Sequence, residues 1–263
     1  MDLHLHGKHV LITGGSKGIG LACAEAFLAE GANVSLVSRS EANLARARER
    51  LAVHGASRVH THAADLTQPA SAQTALDAAL AGFGPVDVLV NSAGAAKRTP
   101  APELTPQAWQ DAMQAKYFSY IHMIDPVIKL MAQRGKGSIV NVVGNGGKVP
   151  SAIHLAGGAA NAALMLATAG LANAYASQGI RVNAINPGLT RTDRLQEGMA
   201  ADARLQGIET EEAMNRAMAK IPMGRMAEPE EIARVVLFLA SDAASYVTGI
   251  NMSMDGATTP LVV

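Results

Sequence analysis

Cysteine, aromatic side chains and an excess of either charge are scarce or missing in this chain of 263 residues. Cys23 is the single cysteine, so no disulfide forms within the chain, and a reducing compartment such as the cytoplasm is expected. Basic and acidic residues number 22 each, which gives no electrostatic reason to expect nucleic acid or an anionic membrane as a partner. No uninterrupted apolar run reaches the roughly 18 residues of a membrane span. The start, MDLHLHGKHVLITGG, lacks a basic segment followed by an apolar core, so we expect no leader peptide.

Short β-branched segments alternate with longer segments rich in alanine and leucine along the whole chain. Seven segments have the composition of strands, from HVLIT near the N-terminus to GINMSM near the C-terminus. This alternation predicts βαβ crossovers and a parallel sheet covered by helices on both faces. We therefore predict an α/β fold in a single domain spanning residues 1–263, with a doubly wound, seven-stranded parallel sheet. One long helical segment is expected at 106–132 and another at 154–177.

Residues 189–227 interrupt the alternation directly after a predicted strand. They are charged and contain five methionines, at Met199, Met214, Met218, Met223 and Met226. Ligands of open α/β sheets bind outside the carboxyl ends of the strands, so this segment is a candidate lid over a substrate site. A peripheral helical pair that packs its methionines into ordinary core fits the same residues. A lid lined by methionine favours an apolar small-molecule substrate.

The stretch LITGGSKGIGLA joins the first predicted strand to the first predicted helix. Gly14, Gly18 and Gly20 follow a G-x-x-x-G-x-G pattern. Glycines let the backbone turn tightly and approach a pyrophosphate, and the helix N-terminus supplies N–H donors and a positive dipole end. Placed between a strand and a helix, the pattern indicates a dinucleotide-binding loop.

The residues at the end of the second predicted strand distinguish NADP(H) from NAD(H). NAD-specific sites place an acid there to hold the ribose 2′-OH, whereas this chain has Ser38 and Arg39. An arginine pairs with a 2′-phosphate, and Lys17 in the glycine loop adds a second positive charge. These residues predict NADP(H) rather than NAD(H).

With these motifs the chain resembles the short-chain dehydrogenase/reductase superfamily over nearly its whole length. The segments that carry the resemblance are TGGSKGIG (13–20), Asp65-Leu66, NSAG (91–94), RVNAINPG (181–188) and the long C-terminal stretch 223–256. The resemblance implies a Rossmann-type fold, an oxidoreductase activity and a homotetramer or homodimer. The residues that it places at or beside the cofactor are Gly14, Ser16, Lys17, Gly18, Ile19, Gly20, Ser38, Arg39, Asp65, Leu66, Asn91, Ala93, Gly94, Pro187, Gly188, Thr190 and Thr192.

The resemblance does not extend to the catalytic residues. The family uses an Asn-Ser-Tyr-Lys set for catalysis. Counting from the matched segments, the tyrosine position is Gly157, the lysine position Asn161, the serine position Gly144 and the asparagine position Lys116. The chain is thus identified as an atypical member. Relative to the family, the two side chains are exchanged, since Lys116 stands at the asparagine position and Asn161 at the lysine position. We hypothesise that Lys116 supplies the charge that binds the nicotinamide ribose and tunes a neighbouring acid.

Three side chains are candidates for the missing proton donor, and the sequence leaves them open, together with water, the substrate or an absence of catalysis. Tyr120 lies one helical turn after Lys116, whose ammonium would lower the pKa of the phenol. His154 lies in the register that the enoyl reductase branch of the family uses, and histidine exchanges protons near neutral pH. Asn145 is a candidate donor to a substrate oxygen.

The pair Gly157-Gly158 has two possible purposes, room in the site or close helix packing at a subunit interface. The favoured function is an NADP(H)-dependent oxidoreductase acting on a carbonyl, alcohol or activated double bond. A catalytically inactive NADP(H)-binding protein and an isomerase, lyase or dehydratase remain as alternatives.

Overall fold

A computed structural model describes residues 2–94 and 96–261, and within them seven strands form one sheet. The strands are β1 (His9–Thr13), β2 (Asn33–Ser38), β3 (Val59–Ala63), β4 (Val88–Asn91), β5 (Gly137–Val142), β6 (Ile180–Pro187) and β7 (Asn251–Met254). All neighbouring pairs are parallel, in the order β3-β2-β1-β4-β5-β6-β7. The predicted fold class is confirmed, although the predicted domain limits at residues 1 and 263 lie outside the described residues.

Helices cover both faces of the sheet, as the alternation predicted. Those in the described ranges are α1 (Gly18–Ala29), α2 (Glu41–Leu51), α3 (Pro69–Phe83), α4 (Pro106–Ala112), α5 (Ser119–Arg134), α6 (Leu155–Tyr175), α7 (Asp193–Gln206), α8 (Thr210–Ala219) and α9 (Pro229–Ala240). Helices α1, α2 and α9 share one apolar core, and α3, α5 and α6 share the other. Strand β1 serves both cores, since Val10 and Ile12 face the first and Leu11 the second.

The order of the strands reverses beside β1, which pairs with β2 on one side and β4 on the other. Connections from these two strands leave the sheet in opposite directions, so a crevice opens outside their carboxyl ends. The glycine loop at 14–20 lies at this crevice.

The predicted helix at 106–132 is interrupted by a wider, π-helical turn over Met113–Phe118. This turn changes the backbone bonding, and the hydroxyl of Ser119 donates to the carbonyl oxygens of Ala115 (3.1 Å) and Lys116 (3.0 Å). Turns of this kind are frequent at functional sites. Here the turn carries Lys116.

The segment 189–227 forms the helical pair α7 and α8, and its base is closed by backbone pairing of Thr190 with Ala227. Met199 and Met226 are buried, whereas Met223 is exposed. The segment is therefore a helical pair that begins at the carboxyl end of β6, and its role as a lid stays a prediction.

Helix α6 lies within the one described segment, Leu155–Gln178, that is long and apolar enough to cross a membrane by length and composition. Half of its most apolar window is buried inside the fold. The Thr168 hydroxyl lies in that core, where it accepts a hydrogen bond from Asn141 of β5 at 3.0 Å. The sequence has no uninterrupted apolar run of membrane-spanning length, yet α6 is apolar enough on average to meet that criterion. In this fold α6 packs as a core helix.

Candidate functional site

One cavity of about 470 Å³ lies at the carboxyl ends of the central strands. Each of five strands contributes a residue at or just beyond its end, namely Gly14, Ser38, Ser92, Val142 and Pro187. The cavity therefore occupies the crevice that the strand order creates.

The glycine loop has a backbone that side chains would disrupt. Gly14 and Gly18 have φ of +68° and +52°, in the left-handed region. A Cβ at Gly14 would stand 2.7 Å from the amide nitrogen of Ala93, and one at Gly20 would stand 2.4 Å from the Gly14 carbonyl oxygen. The loop therefore packs too closely for side chains at these positions. It leads into the N-terminus of α1, where backbone N–H groups favour the binding of an anion.

Two cations line the cavity at the end of β2, where a dinucleotide would place its adenosine ribose. Arg39 and Lys17 are both exposed, and Lys17 Nζ lies 3.9 Å from a carboxylate oxygen of Asp193. The Ser16 hydroxyl donates to Ser38 Oγ at 2.9 Å, which fixes the loop against β2. The donor set fits a 2′-phosphate because Arg39, and no acid, directly follows β2, and Lys17 of the glycine loop lines the same cavity.

The structure brings most of the predicted cofactor residues to this cavity. Those that line it are Gly14, Lys17, Gly18, Ile19, Ser38, Arg39, Asp65, Leu66, Ala93, Gly94, Pro187, Gly188, Thr190 and Thr192. Ser16 and Gly20 are buried and are not among the described lining residues. Asn91 is fully buried, and its amide donates to Asn141 at 3.0 Å, so it joins β4 to β5 rather than facing the cavity.

Lys116 is half-buried and faces the cavity from the π-helical turn. Its Nζ donates to the Tyr120 hydroxyl at 2.8 Å and to the Val142 carbonyl oxygen at 3.2 Å. Burial, with a smaller contribution from the positive charge of Arg194, lowers the pKa of Lys116 to about 7. An ammonium has three N–H bonds, so these two contacts leave one donor for a ligand.

The expected role of Tyr120 as proton donor is contradicted by its position. Its side chain is fully buried, is not among the described residues that line the cavity, and donates to the Val142 carbonyl oxygen at 2.6 Å. The neighbouring ammonium does not lower the pKa of the phenol as expected. Burial raises that pKa instead, because a phenolate is costly in an apolar core. Tyr120 therefore holds Lys116 in place.

His154 lines the cavity, and its imidazole lies directly against the backbone of α6 at Gly157. A Cβ at Gly157 would stand 2.1 Å from Cε1 and 2.6 Å from Nε2 of His154. Nδ1 is buried and has no hydrogen-bond partner among the described residues. Burial lowers the pKa of His154 to about 4, helped by the positive charges of Arg98 and Arg194. The ring is therefore neutral near pH 7.

Asn161 faces the same cavity, one helical turn beyond Gly157. Its Nδ2 lies 3.3 Å from where a Cβ at Gly144 would stand, and its Oδ1 is buried without a partner among the described residues. The ammonium of Lys116 and the amide of Asn161 thus both lie near the carboxyl end of β5.

Asn145 does not reach the cavity, contrary to the expectation that it contacts a substrate oxygen. Its Nδ2 donates to Asp255 Oδ2 at 2.9 Å and to Thr259 Oγ1 at 2.7 Å. These contacts fix the turn Asn145–Gly147 to the segment that follows β7.

Gly157 and Gly158 both have packing roles within the chain. Gly157 accommodates the His154 ring, and a Cβ at Gly158 would stand 2.7 Å from the Gly146 carbonyl oxygen. The structure therefore explains both glycines without a subunit interface.

Sequence reasoning missed two arginines, Arg98 and Arg194, that line the cavity near His154. The available signal was their position, since Arg98 closely follows NSAG and Arg194 closely follows Thr192. None of the five methionines of segment 189–227 is among the described residues that line the cavity. The reason for expecting an apolar substrate is therefore absent.

Comparisons with known proteins agree with this geometry. A family model described as Enoyl-(Acyl carrier protein) reductase matches residues 14–259. D-threitol dehydrogenase of Mycolicibacterium smegmatis is 36% identical over 262 residues, which cover 98% of this chain and 95% of that protein. L-sorbose reductase from Gluconobacter frateurii, complexed with NADPH and L-sorbose, has a TM-score of 0.91 and 30% identity, with 100% of both chains covered. An NADPH-bound short-chain oxidoreductase from Pseudomonas aeruginosa PAO1, described as containing an atypical catalytic center, has a TM-score of 0.86 and 30% identity, covering 97% and 98% of the two chains.

Proposed function

Because this chain belongs to the short-chain dehydrogenase/reductase superfamily, whose matched relatives are dehydrogenases and reductases, we propose that it is an NADP(H)-dependent oxidoreductase with a rearranged set of catalytic side chains. Its substrate is a small molecule with a carbonyl or an activated double bond. One observation carries the proposal. Lys116, His154 and Asn161 face a single cavity that continues into the glycine loop.

Lys116 is the proposed proton donor in the direction of reduction. General acid catalysis is most efficient when the pKa of the acid lies near the working pH, and the pKa of Lys116 is lowered to about 7. Tyr120 and Val142 hold two of its three N–H bonds. The third N–H is the one available to a substrate oxygen or to the nicotinamide ribose.

His154 orients the substrate oxygen as a neutral hydrogen-bond donor. Its lowered pKa keeps the ring uncharged near pH 7, and a neutral imidazole polarises a carbonyl without transferring its own proton. The ring lies against Gly157, which is the position of the family's tyrosine. The amide of Asn161 supplies a further donor beside it.

Arg39 and Lys17 are the proposed ligands of the 2′-phosphate of the cofactor, and the N-terminus of α1 binds the pyrophosphate. When bound, NADP(H) supplies or accepts the hydride. Thr190 and Thr192 border the nicotinamide end of the cavity.

Three further properties belong to the proposal. Helices α7 and α8 act as the lid over the substrate, since Arg194 and Leu195 of α7 line the cavity. The chain assembles as a homotetramer or homodimer, for which the exposed apolar side chains Trp109, Phe118 and Leu166 offer surface. It works in a reducing compartment such as the cytoplasm, consistent with a single, fully buried cysteine.

The proposal is tested by following NADPH consumption with a panel of ketones, aldehydes and enones. We expect turnover, and we expect Lys116→Met to lower kcat by roughly 100- to 10,000-fold, the usual range for a general acid. His154→Ala should lower kcat by roughly 100- to 1,000-fold, the usual effect of removing one hydrogen-bond donor to the reacting oxygen. The matched controls are His6→Ala and Lys220→Met, both at exposed positions, which leave kcat unchanged. Tight NADPH binding without turnover of any substrate would instead indicate the inactive alternative.

A further inference from the structure

Arg98 lies on the loop that follows β4 and reaches under the lid helix α7. Its guanidinium lies against the backbone of Gly198, where a Cβ would stand 2.9 Å from Nε and 3.0 Å from Cζ. Glycine is less favourable than alanine inside a helix, so Gly198 lowers the intrinsic stability of α7. The missing side chain at Gly198 is what makes room for the guanidinium.

Arg194 lies one helical turn before Gly198 and so faces the same side of α7. Its Nη1 donates to the Gly94 carbonyl oxygen at 3.1 Å, and it lines the cavity together with Arg98. Burial and the charge of Arg194 lower the pKa of Arg98. Two guanidinium groups therefore lie at one end of the cavity, although their like charges repel each other.

Among the side chains that the structure describes, the acids near the cavity are paired elsewhere or offset this positive charge only in part. Asp65 accepts hydrogen bonds from the backbone and hydroxyl of Thr67, and Asp193 lies 3.9 Å from Lys17. Asp202 on α7 is the acid whose charge partly offsets that of Arg98, and it accepts a hydrogen bond from Gln206.

The charged groups that act on His154 are instead positive, namely Arg98, Arg194 and Lys116, and all three line the same cavity. A cluster of positive side chains around a cavity that also holds the proposed catalytic groups is suited to a substrate with negative charge.

We propose that the substrate carries a carboxylate, which binds to Arg98 and Arg194 while its carbonyl lies at His154. This inference rests on the proposed function and narrows it to the reduction of an oxo acid. A planar guanidinium matches a carboxylate with two parallel hydrogen bonds, which positions the ligand as well as binding it. The half-buried Arg98 makes the stronger contact, and the more exposed Arg194 closes over it from the lid.

Binding of the carboxylate also changes the catalytic groups. The positive charges of Arg98 and Arg194 contribute to the lowered pKa of His154, and that of Arg194 to the lowered pKa of Lys116. A bound anion offsets these charges and raises both pKa values. The substrate would thereby favour the protonated form of Lys116.

The test compares oxo acids with their methyl esters, which keep the reacting carbonyl and lose the charge. We expect kcat/KM to be at least about tenfold higher for the acid, since charged hydrogen bonds are lost in the ester. Arg98→Gln and Arg194→Gln should each raise KM for the acid by roughly 10- to 100-fold and leave the ester nearly unchanged. Arg204→Gln on the same helix is the matched control, since Arg204 is exposed and not among the described lining residues.

Two further measurements distinguish a carboxylate site from a site for the cofactor's own phosphates. The affinity for NADPH, measured for each variant, identifies an arginine that binds those phosphates. An unchanged ratio of acid to ester in both variants, whatever happens to NADPH, overturns the inference.

Calorimetric titration of the NADP⁺ complex with saturated carboxylic acids is the second measurement, and it needs no turnover. Binding that Arg98→Gln weakens supports the carboxylate site even if no substrate is reduced, and absence of binding overturns it. Ester turnover without any preference for the acid leaves the proposed function intact and the inference wrong.

Discussion

The imidazole of His154 occupies the space that any side chain at Gly157 would need, with 2.1 Å between Cε1 and the position of a Cβ. The two residues are neighbours across the first turn of α6, and a histidine in this orientation requires glycine three residues later. Any side chain at Gly157 would therefore require the His154 ring to move. This relationship explains why one helix carries both a glycine and an unusual polar residue at its start.

Gly157→Ala should displace the His154 ring and lower kcat to about the level of His154→Ala. The double variant should be no worse than either single one, because both remove the same interaction. The measurement is steady-state kinetics of the three variants. Additive losses would show that His154 acts independently of its contact with Gly157.

Gly170→Ala is the matched control on the same helix, since no atom lies within 4 Å of a Cβ at that position. It should leave kcat unchanged and stabilise the protein by about 0.5–1 kcal/mol, the difference in helix propensity between the two residues. Urea unfolding measures the change in free energy.

Reduction should slow as the pH rises through about 7, because the protonated form of Lys116 is the proposed donor and its pKa is lowered to about 7. Lys116→Met should abolish this inflection along with most of the activity. The pH profile of kcat/KM, measured with an uncharged substrate, reports this group in the enzyme before the substrate binds. A profile that is flat between pH 6 and 8 would contradict the assignment.

The same titration predicts the pH dependence of stability. The unfolded lysine keeps its proton up to its ordinary pKa of about 10.4, whereas the folded one loses it near 7. Between these values the unfolded state binds more protons, so the contribution of Lys116 to the free energy of unfolding rises with pH. Relative to that of the unaltered protein, the free energy of unfolding of Lys116→Met should therefore be highest below pH 7 and should fall as the pH rises to 9. Lys220→Met, at an exposed position, serves as the control.

Tyr120→Phe separates a positioning residue from a proton donor. The variant removes the oxygen that accepts from Lys116 Nζ at 2.8 Å, and this loss disfavours the ammonium form. The inflection in the pH profile should move about one unit towards acid, with less than a tenfold loss of kcat. A loss of roughly 100-fold or more at every pH would make Tyr120 the donor after all.

Arg39→Ser should raise the Kd for NADPH by roughly 10- to 100-fold and leave the Kd for NADH nearly unchanged, because only NADPH offers a 2′-phosphate. Arg48→Ser is the matched control on α2, exposed and not among the described residues that line the cavity. Equal weakening of both cofactors by Arg39→Ser would remove the basis for NADP(H) specificity.

The sequence by itself determined the sheet, the covering helices and the glycine loop. These features depend on local patterns, namely β-branched runs, helical periodicity and glycines at fixed spacing, and a local pattern needs no knowledge of distant residues. The same locality allowed Lys116, His154 and Asn161 to be singled out, since each lies at a countable distance from a motif.

Only the tertiary structure decided what these side chains face. The sequence predicted a lowered pKa for Tyr120 from the nearby lysine, but the phenol is buried by residues from other elements, and desolvation outweighs a neighbouring charge. Asn145 likewise donates to Asp255, a residue from a distant segment, and so does not reach the cavity. Arg98 and Arg194 come from segments far apart in the chain. Their convergence at His154 depends on how helix α7 packs over the loop after β4, which no local pattern encodes.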